Sequence, residues 1–163
     1  MPIRAMEQAD IYDVFLLYQD IDSIINSWSL TPFFSLERFQ SYFNHSQCNF
    51  VYCNDSGTPK AHLMITMPHN PQYQSMVTFG ITVAKECRGQ GIGHQLLKYL
   101  FQQVKQWYAV ERIELEVSAD NTGARRLYEQ FGFTAEGVKK KAVYTDGKFV
   151  DVVIMAKYLP NDN

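Results

Sequence analysis

Apolar positions along the chain recur at two different spacings, and the switches between them mark out the elements. "PIRAM" near the start reads as a short strand. In "DIYDVFLLYQDI", Ile11, Val14, Phe15 and Tyr18 fall on one stripe of a 3.6-residue repeat, which predicts a helix. "SLERFQSYF" predicts a second helix with Ser35 as N-cap and Leu36, Phe39 and Phe43 on its apolar face. "NFVYCNDSGTPKAHLMITM" reads as two strands around the turn-forming cluster Asn54 to Pro59, and "SMVTFGITVA" as a further β-rich run. The clearest helix is "GHQLLKYLFQQVKQWY", with Leu96, Leu97, Leu100 and Val104 inward and Lys98, Gln102 and Lys105 outward.

Beyond it the period drops to two. "RIELEVSA" alternates Ile113, Leu115 and Val117 with Glu114 and Glu116, as a strand with two unlike faces does. "NTGARRLYEQFG" predicts a short helix capped by Asn121 or Asp120 and closed by Gly132 in a left-handed conformation. The last segment reads as a hairpin turning at Asp146-Gly147. The order is strand, two helices, three strands, helix, strand, helix, two strands, a mixed α/β layer fold.

Composition narrows the function without naming it. A chain of 163 residues with 46% hydrophobic and 20% charged residues has the size of one domain, predicted here over residues 1–163. A formal net charge of −2 offers no basic excess to hold a nucleic acid. Cys48, Cys53 and Cys87 are odd in number and lack metal-ligand spacing, which predicts free thiols, a reducing compartment and no metal. Glu7, Asp10 and Asp13 stand where a secretory signal would be apolar, and no apolar run is long enough to span a membrane. The expectation is a soluble, cytoplasmic protein.

One segment asks for a chemical explanation. "VAKECRGQGIGHQLLKYL" sets Gly89, Gly91 and Gly93 just after Arg88 and just before a helix. A helix N-terminus presents unpaired N–H groups and favours negative charge, and glycines let an anion reach those amides. The loop therefore reads as a phosphate cradle, with Arg88 adding a fork of charge. A dinucleotide fingerprint fails in both frames, since His94 and Leu96 stand where its last glycine belongs, and no Gly-Lys-Ser/Thr follows for a P-loop. The pattern that fits is Arg88-x-x-Gly91-x-Gly93.

That pattern resembles the acetyl-CoA signature R/Q-x-x-G-x-G/A of the GNAT superfamily of N-acetyltransferases. "VSADNTGARRLYEQFGF" resembles the family's second signature, in which an asparagine opens a helix carrying Leu-Tyr and ending at Gly-Phe. The matched segments lie within residues 79 to 133, in the family's order. The resemblance implies a mainly antiparallel twisted sheet of about six to seven strands flanked by about four helices. It implies that Ile81, Thr82 and Val83 leave a neighbouring strand to pair with the pantetheine arm, and that the diphosphate sits on the amides of Arg88, Gly89, Gln90, Gly91, Ile92, Gly93 and His94. Asn121 would orient the cofactor's amides or a water, and Tyr128 would protonate the departing thiolate. Tyr128 lies seven residues after Asn121, nearly two turns, so the two face the same way. The implied reaction is transfer of acetyl from acetyl-CoA to a primary amine by direct attack in a ternary complex. A homodimer through the C-terminal strands is compatible with the resemblance.

Each candidate also has a plainer reading. Tyr128 is at core spacing with Ala124 and Phe131, His94 stands where a helix simply begins, and Cys87 has no partners that would make it a nucleophile. Many members of the family carry a base on the strand before the loop, and Ser75 to Ala84 contains no carboxylate. Glu116, with Glu114 on the same face, is the substitute, set against a solvated or salt-bridged strand face. The missing carboxylate also motivates a rival, an acyl-CoA-binding regulatory module without turnover. The acceptor, a small molecule or a peptide amine, stays open. The acidic run Glu7, Asp10, Asp13, Asp20 and Asp22 would suit a cation or merely a soluble helix, and Trp28, Phe33 and Phe34 would form an apolar wall. His62 and His69 read as ordinary, and Lys139, Lys140 and Lys141 as a solvated run.

Overall fold

A computed structural model describes residues 2–27, 32–43, 47–73 and 75–160. The strands are β1 (Ile3–Ala5), β2 (Gln47–Cys53), β3 (Pro59–Thr66), β4 (Met76–Val83), β5 (Arg112–Ser118), β6 (Thr134–Thr145) and β7 (Lys148–Tyr158). The helices are α1 (Ile11–Leu17), α2 (Ile21–Asn26), α3 (Leu36–Tyr42), α4 (Ile92–Trp107) and α5 (Thr122–Gln130). The strands form one sheet in the order β1-β2-β3-β4-β5-β7-β6. Only the β4–β5 pair is parallel; the other five are antiparallel.

Alternation along the strands divides the interior in two. Ala61, Leu63 and Ile65 of β3, Val77 of β4 and Ile113, Leu115 and Val117 of β5 meet Leu96, Leu97, Leu100 and Val104 of α4 in the larger core. Full burial of each Val, Leu or Ile among them contributes about 1.5–3 kcal/mol before chain entropy is charged against it. The opposite face carries a smaller aromatic core, where Phe39 of α3 stacks with Phe34 and meets Phe15 and Tyr18 of the α1 segment. His62, Met64, Thr78, Thr82, Glu114 and Glu116 belong to this second face by their alternation with the buried set.

The pattern anticipated these elements with one exception, a fifth helix. Residues 10–21 read as one helix, but Asp20 interrupts it: its carboxylate accepts from the amides of Asp22 and Ser23 and caps α2. Ser35 caps α3 through a hydrogen bond from Arg38 N, as expected. The β6–β7 hairpin turns through Asp146 and Gly147, both at positive φ, which the Asp-Gly pair permits. No helix among the described residues is long and apolar enough to cross a membrane.

Candidate active site

The site begins where two strands part. β4 pairs with β5 only over Met76–Thr78, and from Leu115 onward β5 keeps its register with β7 alone. β4 continues beside β3 as far as Val83. Ala84 N donates to Lys60 O, so Thr82 and Gly80 share that side by alternation, while Ile81 and Val83 turn their main-chain groups toward the gap. The gap opens on the glycine loop. Gly91 is the N-cap of α4 at φ 80°, and no side chain caps the helix, so its first amides keep donors free for an anion.

The glycines of the loop have two different tasks. Gly91 needs its left-handed backbone, and a Cβ there would meet no protein atom and project into open space. A Cβ on Gly93 would come within 3.2 Å of Leu127 Cδ2. Gly93 therefore lets α5, which carries Leu127 and Tyr128, seat against the start of α4. The sequence pattern alone gives all three glycines to the anion.

A continuous cavity of about 1040 Å³ links the loop to the second sheet face. Of the residues singled out from sequence, Ile81, Thr82, Val83, Arg88, Gly89, Gly91, Ile92, Gly93, His94, Glu116, Asn121 and Tyr128 all line it. Gln90 does not; its side chain turns back to donate to Glu86 O. Asn121 accepts from Ala124 N at 3.3 Å and so caps α5 while lining the cavity. Tyr128 packs edge-on against Phe79 and Phe133, and burial pushes its phenol up to about 12. His94 packs on Phe131.

Two charged candidates are held by partners the sequence did not reveal. Arg88 was expected to turn its fork to phosphate, yet the guanidinium spans Asp20, Asp22, Ser23 Oγ and Val83 O. Glu116 forms an ion pair with Lys139, and Glu114 one with Arg112, which also holds Glu136. Lys140 meets Asp151 through Nζ and Lys141 through its backbone amide, and all three lysines are exposed, so the run is solvated as expected, with ion pairs of its own. Three of the five acids near the start are likewise occupied, Asp10 by Arg4 and Asp20 and Asp22 by Arg88. Arg4, helped by the Glu7 amide, holds the Asp10 carboxyl below its usual range against the effect of burial.

The apolar wall of the cavity was misplaced in sequence. Phe33 is exposed, Phe34 lies in the aromatic core, and Trp28 falls outside the described residues. Tyr18, Phe39, Tyr42, Phe43 and Met64 line the cavity instead. His62, read as ordinary, also belongs to this wall and is fully buried between Tyr18 Oη at 2.7 Å and Asn49 Oδ1 at 2.9 Å. Burial drives its pKa down to about 3, so it is neutral near pH 7. With Asn49 Oδ1 accepting from Nε2–H, the other nitrogen, Nδ1, accepts from the Tyr18 hydroxyl. Period-two alternation put His62 on this face, but nothing local announced its partner 44 residues away. No group of three or more His, Cys, Asp or Glu side chains is placed to hold a metal among the described residues.

Known proteins share stretches of this sequence and its fold. An L-amino acid N-acetyltransferase of Escherichia coli (strain K12) is 34% identical over 107 residues, covering 66% of this chain and 65% of that protein. The alignment thus spans just under two thirds of that relative's length. A phosphinothricin acetyltransferase of Sinorhizobium meliloti, solved with AcCoA, superposes with a TM-score of 0.85 at 19% identity, over 98% of this chain and 89% of that one. A spermidine N-acetyltransferase of Vibrio cholerae, solved with CoA and spermine, superposes at 0.84 with 21% identity, over 96% and 94% of the two chains. At these identities the superpositions speak for the fold, a mixed and mainly antiparallel sheet with helices on both faces. The family model described as "Acetyltransferase (GNAT) family" matches residues 11–133, which contain the parted strands, the uncapped glycine turn and the helix bearing Tyr128. By that match, over well more than half of its length, the chain belongs to the GNAT acetyltransferase family.

Proposed function

We propose that the chain transfers an acetyl group from acetyl-CoA to a primary amine by direct attack within a ternary complex. One observation carries this reading: the β4–β5 gap opens beside a helix N-terminus whose glycine turn has no side-chain cap. The amides from Gly89 to His94 suit a diphosphate, the Arg88 amide being spent on Lys85 O, and the main-chain groups of Ile81 suit the amides of an extended arm added along β4. Acetyl-CoA supplies the acyl group and a thiolate leaving group.

The chain's residues divide the remaining work. Val83 N–H, turned toward the gap, donates to the carbonyl oxygen as charge gathers on it. Tyr128 keeps its proton throughout the neutral range and gives it to the departing sulfur. Glu116, held at the cavity wall by Lys139, receives the amine's proton directly or across a water. An α-amine, with a pKa of about 7.7–8, needs little of this help, and a lysine-like amine at about 10.4 needs more. Asn121 stiffens the start of α5 and so aims Tyr128.

The acceptor is a small-molecule or peptide amine entering over Tyr42, Phe43 and Met64. The relatives act, by their names, on L-amino acids and on spermidine, which supports an amine without choosing one. Three unpaired thiols, Cys48, Cys53 and Cys87, support a reducing, cytoplasmic setting. The test is an amine panel with acetyl-CoA, read by thiol release and by the mass of the product. Binding of CoA with no amine-dependent thiol release would instead favour a regulatory acyl-CoA module.

A further inference from the structure

Arg88 sits at the junction of the two halves of the cavity. Its Nε donates to Val83 O at 3.1 Å, Nη1 to Asp22 Oδ2 at 3.1 Å, and Nη2 to Asp20 Oδ2 at 3.0 Å and Ser23 Oγ at 3.1 Å. A guanidinium has five N–H donors, and these contacts occupy four of them. No pair of donors remains to grip phosphate oxygens side by side. Ser23 is buried, and its hydroxyl donates onward to Asp20 Oδ2 at 2.6 Å, so the acceptors are themselves fixed.

The partners lie on both sides of the reaction. Val83 ends the strand whose amide faces the gap, and immobilising its carbonyl fixes the peptide planes around that residue. Asp20 caps α2, and Asp22, Ser23 and Asn26 of α2 line the acceptor end of the cavity. We propose that Arg88 is a positioning residue of the transfer reaction: one guanidinium clamps the start of α2 to the end of β4, so the acceptor wall and the acetyl-donor cradle are set together. The diphosphate then rests on main-chain amides, without this side chain. This inference rests on the acyl-transfer reading above.

The experiment compares two variants on two acetyl donors. R88Q removes the fork. D20N removes charge while keeping α2 capped, because asparagine caps helices as well as aspartate does. Acetyl-CoA carries the diphosphate and S-acetylpantetheine lacks it. R88Q is expected to lower kcat/KM by about tenfold or more with acetyl-CoA, the scale of losing hydrogen bonds to charged groups, and by the same factor with S-acetylpantetheine. At saturating acetyl-CoA, the KM for the amine rises in both variants, and the double variant is no worse than R88Q. A loss confined to acetyl-CoA overturns the proposal, because it would place Arg88 on the diphosphate.

Calorimetric titration of CoA decides the matter independently of turnover. A clamp makes D20N bind CoA more weakly or equally, whereas a phosphate-gripping arginine, freed from Asp20, would bind it more tightly. Tighter binding by D20N therefore overturns the proposal even where R88Q fails to fold. A wild-type protein that binds CoA but acetylates no amine defeats the proposed function, and the same titration still judges Arg88.

Discussion

Removing one oxygen at position 128 separates the roles of that side chain. Tyr128→Phe keeps the ring and its edge contacts with Phe79 and Phe133, at centroid distances of 5.8 and 5.9 Å. The hydroxyl makes no hydrogen bond to another described residue, so folding stability should change by less than about 1 kcal/mol. A general acid contributes typically 10²- to 10⁴-fold. A phenol at about 12 is a weaker acid than the thiol it protonates, near 8.5, so the low end applies. The expected loss in kcat is therefore about 100-fold, or about 2.7 kcal/mol of barrier, with CoA affinity changed less than about twofold. The assay is steady-state thiol release from pH 6 to pH 10, with CoA titrated separately. The wild-type profile should rise as the amine deprotonates and show no descending limb in that range, since Tyr128 holds its proton until about pH 12. Turnover unchanged at every pH would refute Tyr128 as the acid. A descending limb near pH 9 that disappears in the variant would refute the argument from burial.

Gly91→Val should weaken CoA binding by about tenfold or more in calorimetry. A branched residue at φ 80° costs roughly 1–2 kcal/mol of backbone strain, and its side chain fills the cradle. Glu116→Gln should lower kcat/KM by about tenfold for a lysine-like amine and less for an α-amine, measured by thiol release on matched acceptors; equal effects on both would remove Glu116 as the base. His62 makes the fold acid-sensitive. Its folded pKa of about 3 lies below the unfolded value near 6.5, so the stability it lends is full above pH 6.5 and is lost as pH falls toward 3. Urea melts of the wild type should lose about 1.4 kcal/mol per pH unit from this group within that window, and His62→Gln should flatten the slope.

The local signals in the chain were strong where one element answers to its own residues. The α4 stripe, the Ser35 and Asn121 caps, the Asp146-Gly147 turn and the glycine pattern each act over a few neighbours, so periodicity and turn chemistry suffice to read them. Asp20 was the exception. Its capping role broke a helical stripe that hydrophobic spacing alone reads as continuous.

What tertiary structure decided was the pairing of charges and the opening of the sheet. Arg88 looked available for phosphate because Asp20 and Asp22 are 68 and 66 residues away along the chain. Glu116 carries a salt-bridged reading in the sequence but no partner; only the sheet order brings Lys139 of β6 across β7 to meet it. The parting of β4 from β5 follows from the family resemblance but not from either strand's own pattern, since both alternate normally and only the register reveals where their hydrogen bonds stop. Sequence determined the elements and the chemistry they carry, because backbone propensity acts over one or two turns. Only the folded sheet determined which charges neutralise one another and where main-chain amides stay open, because those depend on distances between residues far apart in the chain.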